Sequence, residues 1–121
     1  MRVITGIARG KRLVTPQGRD VRPTSEKVKE AVFSVLQFDI EGRRILDLFA
    51  GCGQMGIEAL SRGASKVTFV DSAKQATGII TQNLQKTGFY QQSNVLCMDW
   101  KQYIKSAANR YEFDYVFLDP P

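Results

Sequence analysis

From Ile45 onward, short apolar runs alternate with segments of helical periodicity, and that rhythm leaves few architectures open. Ile45 to Ala50, Lys66 to Val70, Asn94 to Met98 and Asp114 to Leu118 read as strands buried on both faces. Between the first two, Gln54 to Arg62 is a helix stopped by Gly63. Ser72 offers a cap for a second helix running to Thr87, with Ala76, Ile79, Ile80 and Leu84 inward and Gly88 at its end. Trp100 to Ala108 makes a third, short helix through Tyr103, Ile104 and Ala107. A β-α-β-α-β-α-β succession implies an α/β fold with a doubly wound parallel sheet and helices on both faces. The 121 residues suffice for one compact unit and not for two.

Before Gly42 the chain is irregular and basic. Arg2 to Ala8 and Lys11 to Thr15, separated by Arg9-Gly10, read as a small β-hairpin, and Pro16 to Pro23 as a loop. Thr24 or Ser25 then caps a helix that ends near Phe38 and buries Val28, Ala31, Val32, Val35 and Leu36. This divides the chain into an N-terminal hairpin and helix extension, residues 1–41, and a core, residues 42–121. The 17 Lys and Arg exceed the 12 Asp and Glu by five. The whole excess lies in residues 1–44, which carry ten basic and five acidic side chains, against seven of each in the remainder. A local basic field favours a polyanion such as nucleic acid, although charge alone does not separate that reading from a solvated surface. No apolar run is long enough to span a bilayer and no signal peptide opens the chain, so a cytoplasmic location is expected. With no His, and with Cys52 and Cys97 outside any metal-type spacing, reduced thiols and no metal are expected.

Acidic residues punctuate the strands. Asp47 lies within the first, and Asp71, Asp99 and Asp119 directly follow the second, third and fourth. Any one of these could simply cap a helix. A series at strand ends favours a ligand crevice, because open α/β sheets bind ligands outside their carboxyl ends. Gly51-Cys52-Gly53-Gln54-Met55-Gly56 matches G-x-G-x-x-G between a strand and a helix, with Asp71 twenty residues beyond the first glycine. Two ligands use such a loop. A dinucleotide would place its pyrophosphate on the helix N-terminus and its ribose on Asp71. Asp47, four residues ahead of the loop, would repel a pyrophosphate but hold a cation, which fits S-adenosylmethionine with its sulfonium and ammonium. In that reading Asp71 accepts the ribose hydroxyls and Asp99 the adenine amino group, with Met98 and Trp100 as apolar neighbours and the Trp100 ring mainly in the core.

Asp47-Leu48-Phe49-Ala50-Gly51-Cys52-Gly53 resembles the first motif of class I methyltransferases that use S-adenosylmethionine, and Asp119-Pro120-Pro121 resembles the (Asp/Asn)-Pro-Pro-(Tyr/Phe) motif of those that methylate nucleobase amines. Arg22-Pro23-Thr24-Ser25 through Phe33, and Gly56 through Ala64, resemble more narrowly the bacterial family that methylates the exocyclic N2 of a guanine in 16S ribosomal RNA. The likeness covers essentially the whole chain. Cys52 departs from it, standing where that family more often has Ser, and the small thiol is expected to preserve cofactor binding. The resemblance implies a Rossmann-like class I core whose sheet has seven strands in the order 3-2-1-4-5-7-6. Four are present here, so the chain is expected to be truncated after its fourth strand, to keep most cofactor contacts and to be poorly active.

The cofactor-binding set implied is Asp47, Phe49, Gly51, Gly53, Asp71, Ser72, Met98, Asp99 and Thr24. The catalytic set is Asp119, Pro120 and Pro121. An aromatic amine is a poor nucleophile because its lone pair is delocalised. Asp119 and the Pro120 carbonyl would accept its two hydrogens and aim the lone pair, on a backbone that the prolines hold rigid, for a direct in-line transfer. The base must leave its stack to reach them. Arg2, Arg9, Lys11, Arg12, Arg19 and Arg22 are the expected contacts to 16S ribosomal RNA, within a 30S subunit or an assembly intermediate. Three other functions stay open at this level: an adenine-N6 DNA methyltransferase using the same motif, an NAD-dependent oxidoreductase, and a non-catalytic RNA-binding protein.

Overall fold

The computed structural model describes residues 1–15, 23–107 and 112–118, and for residues 23–25 the backbone alone. Its elements are α1 (Pro23–Leu36), β1 (Arg44–Leu48), α2 (Gln54–Ser61), β2 (Lys66–Asp71), α3 (Lys74–Thr87), a 3-10 turn (Tyr90–Gln92), β3 (Ser93–Cys97), α4 (Trp100–Ala107) and β4 (Tyr115–Leu118). All strands are parallel, in the order β3-β2-β1-β4. The chain steps outward from β1 to β3 and then returns to the far side of β1. That reversal creates the crevice at the strands' carboxyl ends in which α/β folds bind ligands.

Alternation along the strands sends side chains to two cores. Ile45, Val67 and Phe69 pack with Ile57 and Leu60 of α2, Ile80 and Leu84 of α3, and Phe33 of α1. Leu46, Leu48 and Val70 face the other way, onto Tyr103 of α4. Each such fully buried apolar side chain contributes about 1.5–3 kcal/mol. Phe117 of β4 meets Phe33 edge-on at 5.6 Å between ring centroids. On the opposite face Val116 and Leu118, the register partners of Leu46 and Leu48, are exposed. The start of β4 is fixed by the Arg44 N–H, which donates to Asp114 at 2.8 Å. That bond holds the Asp114 carboxyl below its ordinary range, so its small contribution to stability is present at neutral pH and fades as acid protonates the carboxylate.

Gly56 sets how closely α2 approaches the sheet. A Cβ there would strike the Phe69 ring and lie 2.8 Å from Val67 Cγ1. Gly56→Ala is therefore expected to destabilise the protein by about 1–3 kcal/mol through overpacking. A shift in the urea midpoint with an unchanged slope would register it; no shift would mean that the ring can move aside.

The N-terminal segment departs from the expected hairpin. The two arms meet at a single antiparallel bridge, Arg2 opposite Arg12, flanked by bonds from Val3 N to Lys11 O at 2.9 Å and from Leu13 N to Met1 O at 2.8 Å. The ladder stops because the next backbone donors are taken by α2. Ile4 N and Thr5 N donate to the Glu58 carboxylate, Ile7 N to Ser61 O and Ala8 N to Ser61 Oγ. Gly6, at φ 94°, makes the turn, and a Cβ there would collide with Ser61 O.

Helix α1 also differs. It ends at Leu36, not near Phe38, and Val28, Ala31 and Val35 are exposed, whereas Lys29 and Phe33 are buried. The apolar stripe is broader than the contact, and Lys29 is taken inward by its partners: Nζ lies 3.3 Å from Glu58 Oε1 and donates to Arg2 O at 2.9 Å. Arg62 completes the network, donating to Glu58 at 2.9 Å while its guanidinium sits 4.8 Å from the Phe33 ring centre. In α3 the cap also changes: Ala73 occupies the N-cap position and its N–H is taken by Asp71, not by Ser72. Ala76 is only half-buried, and Thr77 and Asn83 are buried instead. In α4 Ile104 is exposed. Among the described residues no helix is long and apolar enough to cross a membrane, and no three His, Cys, Asp or Glu side chains cluster as metal ligands would.

Candidate functional site

The candidate site lies where β1, β2 and β3 end. The loop after β1 turns sharply: Phe49 stands at φ 61°, a conformation that costs a residue with a side chain of order 1 kcal/mol or more, and Gly51 and Gly53 follow at 60° and 84°. Ala50 N donates to Val70 O at 3.1 Å and Gly53 N to Ala50 O at 2.8 Å, closing the loop over the sheet. Gly53 backs onto Ile80 with no room to spare: an added Cβ would lie 3.4 Å from its methyl and methylene carbons. The third glycine position, Gly56, serves helix packing, as described above.

Asp71 organises this region. Its Oδ2 accepts from Gly51 N at 3.0 Å and its Oδ1 from Ala73 N at 2.9 Å, tying the glycine loop to the start of α3. Its backbone carbonyl accepts from Met98 N at 3.1 Å, which holds the ends of β2 and β3 together. Each carboxylate oxygen retains acceptor capacity for a hydroxyl. Asp47 lies deeper, 3% exposed, and its Oδ2 accepts from Gly56 N at 3.1 Å, so it stabilises the first turn of α2.

A cavity of about 260 Å³ opens here, lined by Phe49, Gly51, Val70, Asp71, Ser72, Met98, Asp99 and Trp100. Six of the nine residues read from the sequence as cofactor-binding thus share one pocket. Asp47 and Gly53 support it without lining it, and the side chain of Thr24 lies outside the described residues. Asp99 is exposed and directly precedes α4, whose Tyr103 N donates to its carbonyl at 3.0 Å. Trp100 corrects the expectation of a core ring: it is 40% exposed, tilted against Phe49 at 5.9 Å, and makes one wall. Two neighbouring aromatic faces beside an acidic rim suit a planar, amino-bearing heterocycle.

Three residues on the helices around the loop escaped sequence reasoning. Gln54 Oε1 is buried with no hydrogen-bond partner among the described residues. Asn83 of α3, wholly buried, bonds the Cys52 carbonyl from below at 2.9 Å. Glu58 is the single charge in the apolar run Ile57 to Leu60, a signal the sequence did carry. Burial pushes the Cys52 thiol up, so it stays neutral and acts as a small polar residue, not as a nucleophile.

Of the expected RNA contacts, Arg2 and Arg9 border a cavity of about 430 Å³ with Glu26 and Glu30 opposite, and Arg2 and Arg12 border another with Glu26. Lys11 is exposed beside them. The patch is therefore less positive than its arginines alone suggest. Arg19, Arg22, Asp119, Pro120 and Pro121 lie outside the described residues.

Comparison with known proteins decides the family. The model of the family described as "Conserved hypothetical protein 95" matches residues 1–121. The chain belongs to that family. It is 39% identical over 122 residues to the ribosomal RNA small subunit methyltransferase D of Haemophilus influenzae, covering all of this chain and 63% of that one. A hypothetical protein of Thermus thermophilus superposes with a TM-score of 0.85 at 30% identity, over 100% of this chain and 69% of the other. The S-adenosylmethionine-dependent methyltransferase of Agrobacterium tumefaciens does so with a TM-score of 0.70 at 27% identity, over 84% and 33%. The fold is the Rossmann-like core of class I methyltransferases that the resemblance of the segment Asp47 to Gly53 implied. The chain spans 60–66% of the length of curated relatives such as those of Bacillus subtilis, Haemophilus influenzae and Escherichia coli.

Proposed function

We propose that the protein binds S-adenosylmethionine in the Phe49–Trp100 pocket and serves methyl transfer to the exocyclic N2 of a guanine in 16S ribosomal RNA, in the cytoplasm, on a 30S subunit or its precursor. The observation that carries the reading is the convergence of Asp71, Asp99, Phe49, Met98 and Trp100 on one cavity beside the glycine loop. These residues fit the cofactor. Asp71 accepts the ribose hydroxyls, Asp99 the adenine amino group, and Phe49 and Trp100, 5.9 Å apart, form the wall against which the purine packs. The Gln54 oxygen, without a partner among the described residues, and the Asp47 carboxylate beneath the loop favour a cationic, hydrogen-donating group at the inner end, where a pyrophosphate would be repelled. When bound, S-adenosylmethionine supplies a methyl group activated on a sulfonium.

The remaining work falls to this chain's own residues. Leu118, the last residue of β4, pairs in register with Leu48 of β1, so β4 ends at the same end of the sheet as the glycine loop. In this proposal Asp119 and the Pro120 carbonyl accept the two amine hydrogens and direct the nitrogen lone pair, and Pro121 holds that backbone rigid. The basic extension, residues 1–41, holds RNA phosphates through Arg2, Arg9, Lys11, Arg12, Arg19 and Arg22.

Three measurements test the reading. S-adenosylhomocysteine should change the fluorescence of Trp100, the single tryptophan, while NAD should not; the reverse would favour the oxidoreductase reading. Incubation with 30S particles and labelled S-adenosylmethionine should yield N2-methylguanosine by mass, and labelled N6-methyladenine in DNA would replace the RNA assignment. Replacing Arg9, Lys11 and Arg12 together by Ala should weaken RNA binding and flatten its salt dependence by up to about three phosphate contacts, with affinity for S-adenosylhomocysteine unchanged in the absence of RNA. Equal RNA affinity at low and moderate salt would remove these residues from the interface.

A further inference from the structure

One buried side chain joins the basic N-terminal arm to the glycine loop. Asn83 of α3 is 0% exposed. Its Oδ1 accepts from Val14 N at 2.7 Å, and its Nδ2 donates to Val14 O at 2.9 Å and to Cys52 O at 2.9 Å. Both amide hydrogens are thus used. The Asn83 amide takes the N–H and the C=O of one arm residue together, as a neighbouring strand would, and Val14 follows directly on the segment that carries Arg9, Lys11 and Arg12. Cys52 stands between Gly51, which Asp71 holds, and Gly53, which abuts Ile80. The second anchor of the arm, on Glu58 and Ser61, lies at its turn and makes no bond to this loop.

We propose that Asn83 is a positioning residue that couples the two sites, so that a nucleoside ligand in the pocket and RNA on the arm each tighten the other. The proposal rests on the cofactor reading above. A ligand that steadies the glycine loop fixes the Cys52 carbonyl. Through it the amide plane is fixed, and with it both backbone groups of Val14. RNA that steadies the arm works along the same bonds in reverse, and linkage makes the two effects equal. Asn83 touches neither ligand. Its alternative role is that of a plain structural staple, which would stabilise the fold but leave the two affinities independent.

Calorimetric titration of the 121-residue chain with S-adenosylhomocysteine, alone and with saturating 16S rRNA transcript, separates these roles. RNA is expected to tighten binding by about fivefold or more in the unsubstituted protein. In Asn83→Asp, which keeps the acceptor for Val14 N but loses both donors, the ratio should fall to about one. A ratio of one in the unsubstituted protein, or an unchanged ratio in the variant, would overturn the coupling while leaving cofactor binding in place. Absence of any S-adenosylhomocysteine binding would overturn the cofactor reading and the coupling with it. Should the variant fail to fold, hydrogen exchange on the unsubstituted chain decides the matter. S-adenosylhomocysteine should slow exchange at Val14 N more than at Leu13 N, which bonds within the arm; equal slowing at both would count against Asn83 as the link.

Discussion

Glu58→Gln is expected to lower the unfolding free energy by about 3–5 kcal/mol, a large part of what a domain of this size has. Glu58 is fully buried, accepts hydrogen bonds from Ile4 N, Thr5 N and Arg62 Nε, and forms an ion pair with the Lys29 ammonium. A glutamine of equal size can still accept from one or two backbone groups. It presents an NH2 where an oxygen stood and leaves the ammonium of Lys29, 1% exposed, with no countercharge. Removing the other partner should cost less. In Lys29→Met the carboxylate keeps Arg62 and both backbone donors, and Arg2 O alone loses its bond. Urea denaturation should therefore rank Lys29→Met above Glu58→Gln in stability; the opposite order would place the weight of the network on the lysine. Because Glu58 anchors the arm, the variant should also expose residues 1–14 to proteolysis before the core unfolds.

Asp71→Ala is expected to weaken binding of S-adenosylhomocysteine by at least about a hundredfold. Hydrogen bonds to a charged group are worth about 1.5–3 kcal/mol each, and in the proposed site Asp71 offers two to the ribose. The substitution also frees Gly51 N and Ala73 N, so the glycine loop and the first turn of α3 lose their common tether. Asp71→Asn, which retains one acceptor, should fall between. The stability change should stay near 1 kcal/mol, because Asp71 is only half-buried and water can replace it at both donors. Titration of Trp100 fluorescence measures the affinity; an affinity unchanged in Asp71→Ala would move the ribose elsewhere in the cavity.

The parallel sheet was legible because strands buried on two faces print their apolar runs directly into the chain, and because Gly63 and Gly88 stand just past the helices they close. The pocket was legible for a related reason. Asp71, Asp99 and the glycines derive their position from strand ends and turn geometry, which are set by neighbours in the sequence. Trp100 was misjudged because ring burial depends on what stands opposite, here Phe49 from a loop about fifty residues earlier. The hairpin was overdrawn because local β propensity in Arg2 to Ala8 carries no record of the competing acceptors on α2.

The residues by themselves determined a four-strand α/β core, a glycine loop with acids at the strand ends, and a basic N-terminal third. Each follows from periodicity, backbone freedom at glycine or a count of charges, all of them local. Only the tertiary structure decided that Lys29 goes inward and Val28 outward, that Glu58 holds the arm, and that Asn83 joins that arm to the loop. A buried charge or amide is stable only beside its partners, and apart from Arg62, four residues from Glu58, those partners lie between 27 and 69 residues away, where pattern along the chain gives way to contact in space.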